Sequence, residues 1–479
     1  MSGTHIIQRQ ILQIDLHGTE ADGIALQRRL SSRFQDDIVR TLQSVFDRHA
    51  PVGGHLTIDR LELDLGSVSM ETVEAEIADA LTKELDDALR RQTFDVIVDA
   101  GHADRRGGTM DTGFHGRKER LFDAFLHVLE TGRLPWSMLL PGGATLEGLL
   151  LEELGSGPDT TSNVLRRAML LVATSPIARR RLIWQFSESF RFMMIAATMP
   201  SILMDVDTVL SVWKRSGVAE HLVTPFREAV WDTVFVFGGN PPSSGIASTL
   251  VTGALSVVRS TAPSDITREI VIAARRIWPS ISDDVASAIV TGDTTSHDEP
   301  KDITASMPES IMMADGIFVE NAGIILLHPF LATFFGVVGV ADGDTIVQPY
   351  KAIVLLNHLA TGETFTAEHD ATLFKILCGV DVDAPIPSVV STSVDDLAEA
   401  DNLLRAVIGH WDALGSTSID GLRESFLKRS GKLGISDDGE WRLQVEWKTY
   451  DVLLDRLPWG IAHVRLPWMQ AMCGVEWKP

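Results

Sequence analysis

Apolar and polar positions alternate with period two over residues 5–17: Leu12, Ile14 and Leu16 fall on one side, Gln13 and Asp15 on the other. That period predicts a strand, ended by Gly18. From Thr19 to His49 the period lengthens. Leu26, Leu30, Phe34, Ile38, Leu42 and Val45 or Phe46 recur at steps of three and four, which predicts a helix with one apolar face. Pro51 and Gly53-Gly54 stop it. Residues 55–66 return to alternation. Leu56 and Ile58 are out of phase with Leu61, Leu63 and Leu65, and that shift predicts a bulge near Arg60. A second helix is expected from Met70 to Arg91, carried by Val73, Ile77, Leu81, Leu85 and Leu89. Residues 1–99 thus read as a small strand–helix–strand–helix unit.

Residues 100–118 are rich in Gly, Asp and Arg and read as a linker. Residues 119–290 read as a helical middle, broken at Pro141-Gly142-Gly143, Gly155–Pro158, Pro200, Gly238–Pro242 and Pro263. No sustained heptad appears, so one continuous coiled coil is not expected. Residues 291–309 form a second, polar linker. Residues 310–479 read as a helical domain with a Trp-rich β end, since six of the eleven tryptophans lie between Trp411 and Trp477. There WRLQVEWKTY and GIAHVRL alternate, as in a short β-meander. The fold class expected is α+β, mainly helical.

The apolar run Gly323–Ala341 approaches the length of a membrane span. His328-Pro329 interrupts it, Gly336 and Gly339 follow, and flanking Lys/Arg are missing. Two short core helices broken at His328-Pro329 are expected instead, without stable membrane insertion. A net charge of −23 repels phosphate backbones and argues against nucleic acid as a partner. The two cysteines, Cys378 and Cys473, are too few for a disulfide framework and fit a reducing compartment. The first eleven residues lack a signal-peptide pattern.

Candidate chemistry is sparse. Asp59, Glu62 and Asp64 read as the solvated side of a half-buried strand. His358, Glu368, His369 and Asp370 form a loose cluster without the i, i+4 histidine pair that zinc peptidases place on one helical turn. Gly142-Gly143 and Gly238-Gly239 lack the Lys-Ser/Thr of a phosphate loop, and Cys378 reads as a packed thiol. No catalytic residue, cofactor or metal site is expected, although a hydrolase or metalloenzyme centred on Glu368 and His369 is the competing enzyme reading. The densest segment is 451–469. Asp455 and Arg456 stand among leucines and are expected to pair, because an unpaired buried charge is costly. Each proline of the two Leu-Pro-Trp tripeptides there fixes the backbone before an indole. Trp459 and Trp468 either fill the core or form a docking surface. With His328 and Pro329, these four complete the candidate structural and docking residues.

Several long segments resemble one family: HIIQRQILQIDL with LTIDRLELDLG, FVENAGIILLHPFL at 318–331, HLATGE at 358–363, LFKILCGV at 373–380, GLRESFLKRSGKL at 421–433 and YDVLLDRLPWGIAHVRLPWM at 450–469. They resemble the contractile injection system tape measure proteins over roughly 5–90 and 310–477. Residues 100–305 carry no matching motif. The resemblance implies a structural role in a phage-tail-like particle that drives a rigid tube into a target cell. It implies tube, baseplate or hub proteins as partners, and self-association. It also implies cytoplasmic assembly followed by a place in the tube lumen. The matched ends would fold and dock, with the middle as a spacer. Tape measures are commonly pictured as long continuous helices, and the broken middle departs from that picture. An assembly adaptor or chaperone, absent from the mature particle, is the alternative.

Overall fold

The computed structural model describes residues 32–49, 54–56, positions 61, 63, 65, 77, 79–86, 88 and 89, most of 114–154, 161–281 except 280, and 316–477 except 437. The strand expected over 5–17 and the bulge near Arg60 lie outside these. The described chain is mainly helical, with a mixed sheet of short strands near its C-terminus. It divides into two compact units, Met1–Asp123 and Ala124–Pro479.

In the first unit, α1 (Ser32–His49) buries Ile38, Leu42 and Val45. They pack with Ile77, Leu81, Leu85 and Leu89 of the second helical segment, all at steps of three or four. Leu61, Leu63 and Leu65 close this core, keeping the alternation read from the sequence. His49 Nε2 lies 2.7 Å from the Asp86 carboxylate and ties the two helices together. Strand β1 (Gly54–Leu56) pairs antiparallel with β2 (Phe114–Gly116), which falls inside the stretch that reads as a linker.

The second unit has two halves. The helical half continues from α2 (Arg117–Thr131) through α3 (Leu146–Leu154), α4 (Thr161–Thr174), α5 (Pro176–Gln185), α6 (Glu188–Thr198), α7 (Leu203–Arg215), α8 (Glu220–Val236), α9 (Ile246–Thr261) and α10 (Ser264–Ile277). Helix starts are written locally. Ser175 Oγ accepts from Ala178 N, with Pro176 pre-set at the first turn, and Ser187 Oγ accepts from Phe190 N. Aromatic groups knit the half together. Phe125 sits edge-on to Phe186 and Phe190, and Trp213 stacks on Phe226 and Trp278.

The C-terminal half, 316–477, has its own core, whose members all lie between Ile317 and Trp477. The apolar run resolves into a 3₁₀ turn, Ala322–Leu327, and α11 (His328–Val337), with Pro329 in its first turn. No helix among the described residues is long and apolar enough to cross a membrane. A short hairpin follows, β4 (Ala341–Asp342) with β5 (Thr345–Ile346). Then come α12 (Pro349–Thr361), α13 (Thr372–Leu377), α14 (Val394–His410) and α15 (Ile419–Leu422), the last running into a π-turn, Arg423–Leu427. Ser393 and Asp396 form a reciprocal capping box at the start of α14.

The sheet runs in the order β3-β6-β7-β9-β8, with β3 Ile317–Val319, β6 Gly431–Ile435, β7 Trp441–Val445, β8 His463–Val464 and β9 Cys473–Glu476. The pairs β6–β7 and β8–β9 are antiparallel sequence neighbours, and a parallel β7–β9 contact joins them. In β7, Trp441, Leu443 and Val445 are buried and Arg442 and Gln444 exposed, as the alternation requires.

Candidate functional site

Two buried charge clusters dominate the second unit. The first lies between its halves. Arg181, on α5, is fully buried. Its Nε donates to Glu368 Oε1 at 3.0 Å, and its Nη1 donates to the carbonyls of Leu129 and Glu130. Its Nη2 donates to Asp383 O across the halves. Lys375 Nζ donates to the same Glu368 oxygen at 2.9 Å and to Val382 O at 3.0 Å. Burial lowers the Lys375 pKa, opposed by the Glu368 carboxylate. At the rim, Arg133 pairs with the Asp383 carboxylate at 3.2 Å.

Neutral bonds extend this seam. Gln185 Nε2 donates to Ile386 O at 2.8 Å, and Gln185 Oε1 accepts from Glu368 N at 2.8 Å. Trp184 O accepts from both Ser388 N and Ser388 Oγ. Gly132, at φ +74°, permits the close approach: a Cβ there would stand 2.3 Å from Glu368 Oε1.

The second cluster lies inside the C-terminal half and gathers the motif segments. Asp451, fully buried, accepts from Arg429 Nη2, from Lys448 N at 2.8 Å and from Trp477 Nε1 at 2.9 Å. The Arg429 guanidinium also lies over the Tyr450 and Trp477 rings, 5.1 and 5.6 Å from their centroids. Arg429 O accepts from Ala322 N. Six residues earlier, Arg423 donates to the carbonyls of Leu359 and His358 at the end of α12. Gly323 sits against the π-turn, where a Cβ would stand 1.6 Å from Phe426 O.

The candidate residues fall around this core. Trp459 and Trp468 are half-buried and aim their N–H groups inward, to Leu326 O at 3.0 Å and Leu377 O at 2.7 Å. His328 Nδ1 donates to Ile325 O at 3.0 Å, and Pro329 is exposed. Asp455 and Arg456 are both exposed, which corrects the expectation of a buried pair. The segment Thr449–Arg456 is a 3₁₀ helix, so Val452, Asp455 and Pro458 share its outer edge while Asp451 turns inward. Sequence reasoning missed Arg181, Lys375, Arg423, Arg429 and Asp451. Lys375, Arg423, Arg429 and Asp451 all lie in the segments that carry the family resemblance, while Arg181 is one of three consecutive arginines with nothing local to single it out.

Glu368 is bonded to Arg181 and Lys375, and no group of potential ligands among the described residues could hold a metal ion. Asp59, Glu62 and Asp64 lie outside the described residues. Both cysteines are free and buried: burial drives the Cys378 thiol far above its usual range and pushes Cys473 up to about 12, helped by Glu440.

Burial lowers the pKa of His328, and burial followed by the Arg423 charge lowers that of His358. The unfolded chain takes up these protons near 6.5 while the folded chain resists, so stability falls as pH drops below 6.5 and levels off below the folded values. Unfolding midpoints measured between about pH 7.5 and 5 should decline in that window, less steeply in His358→Gln. A flat profile would contradict this.

The geometry defines a class first: a folded, mainly helical α+β protein held together by buried ion pairs. The chain belongs to the contractile injection system tape measure protein family, whose model matches residues 4–477 of 479. The match runs through the middle as well as the ends. No curated protein and no solved structure matches the chain.

Proposed function

We propose that this chain is a non-enzymatic assembly component that sets or supports tube length in a contractile injection system, and that it works as a folded body. Tube, baseplate or hub proteins are its partners, met in the cytoplasm during assembly and then in the tube lumen. The observation that carries the folded-body reading is the Arg181–Glu368 bond. It joins side chains 187 positions apart, both out of water. A fully helical chain of this length would reach about 700 Å. A ruler read by that contour must melt the helical and C-terminal cores as well as break such bonds, and the packing of 124–479 favours a chain that keeps both cores folded. The same compactness supports the second reading, an adaptor or chaperone that leaves before maturation.

Particle length distinguishes these. Inserting about 60 residues within 291–309 adds about 90 Å of helical contour while leaving the described cores intact. Electron microscopy should show unchanged tube length, with the chain at fixed stoichiometry in purified particles. Tubes longer by that increment would establish a contour ruler and overturn the folded-body reading. Normal particles lacking the chain would establish the adaptor.

A further inference from the structure

The two halves of the second unit are joined by a contact unlike either interior. Extensive packing among the described elements stays within each half. The second half's apolar core contains no residue before Ile317. What crosses is mostly polar: the Arg181 and Gln185 side chains, the Trp184 carbonyl, the Arg133–Asp383 pair and one edge-on aromatic contact, Trp184 to Tyr350 at 5.7 Å. On the helical side nearly all of it comes from the last turns of α5.

The two fully buried charged members, Arg181 and Glu368, are also partnered on their own sides. Arg181 keeps the carbonyls of Leu129 and Glu130. Glu368 keeps Lys375, which keeps Val382 O. Parting the halves therefore breaks only the partly exposed Arg133–Asp383 pair outright, and it returns Arg181 and Glu368 to water, recovering the desolvation that burial cost them. An apolar seam has no such compensation, because parting it exposes hydrocarbon. Residues 282–315 connect the halves and are long enough to let them separate by tens of ångströms.

We propose that this seam is a built-in latch: the helical half and the C-terminal half part as intact folded bodies, with Arg181, Gln185 and Glu368 as the catch. The closed form is the compact chain. The open form has two bodies on a tether, and it presents the α5 end and the segments around Glu368 and 383–388 to solvent. The inference concerns the chain's own equilibrium and stands independently of its role in a particle.

Hydrogen exchange of the full chain, followed by mass spectrometry, tests it. The Glu368 and Ser388 amides donate across the seam, so peptides covering them report its opening. They should exchange about tenfold or more faster than peptides from β6 and β7, which require unfolding of the core. Gln185→Ala removes two cross-seam bonds and should accelerate the seam peptides alone. Arg181→Met should raise the radius of gyration in solution scattering while the near-ultraviolet tryptophan signal persists. Exchange of seam and β-strand peptides in a single cooperative step, in both the native chain and Gln185→Ala, would overturn the latch. So would an unchanged radius of gyration in an Arg181→Met chain that retains its fold.

Discussion

Gly323→Ala should destabilise the C-terminal half by about 3 kcal/mol or more, at or beyond the upper end of overpacking costs. The added methyl would lie 1.6 Å from the Phe426 carbonyl oxygen and 2.9 Å from Leu427 Cα. Both obstacles are backbone, so no rotamer relieves them. The 3₁₀ turn and the π-turn must separate, and the Ala322 N–H bond to Arg429 O must stretch with them. Gly336→Ala is the natural comparison. It lies in α11 with nothing within 4 Å of the new methyl, so the better helix propensity of alanine should stabilise by about 0.5–1 kcal/mol. Thermal unfolding of the two variants should move in opposite directions, and equal midpoints would refute the close-approach argument.

Arg429→Met should cost about 3–5 kcal/mol, because it leaves the fully buried Asp451 carboxylate without its cation. Lys448 N and Trp477 Nε1 still donate to that carboxylate, but neither carries charge to balance it. Pairing Arg429→Met with Asp451→Leu removes the orphaned charge and should recover much of the loss. Urea midpoints for the two single variants and the double test this. Additive losses in the double would mean that the two side chains act separately.

The helices of this chain were legible where one face repeats. Ile38, Leu42 and Val45, and Ile77 through Leu89, sit in the core that their spacing predicts. Trp441 through Val445 alternate in the structure as they do in the sequence. His328-Pro329 also broke the apolar run where expected. The ion pairs were not legible, for a physical reason. Arg179, Arg180 and Arg181 are consecutive, yet Arg179 turns to Asp232, Arg180 lies exposed over the Trp184 ring and Arg181 turns to Glu368, and the packing of distant segments decides between the two buried partners. Glu368 drew attention as one of a histidine and carboxylate cluster, but its partners come from α5 and α13. Asp455 looked buried because its neighbours are leucines. A 3₁₀ turn changes the period to three and puts Asp451, four residues earlier, inside.

The burial of both cysteines has a practical reach. With Cys378 and Cys473 packed away and their thiols held protonated, a reagent that reacts with thiolates at neutral pH should leave both untouched. The natural sequence is then already a silent background for labelling. Cysteines introduced at the exposed Ser244 and Ser391, one on each half, would be the only sites to take a dye. Energy transfer between the two dyes would follow the distance between the halves directly, in solution or in an assembling particle.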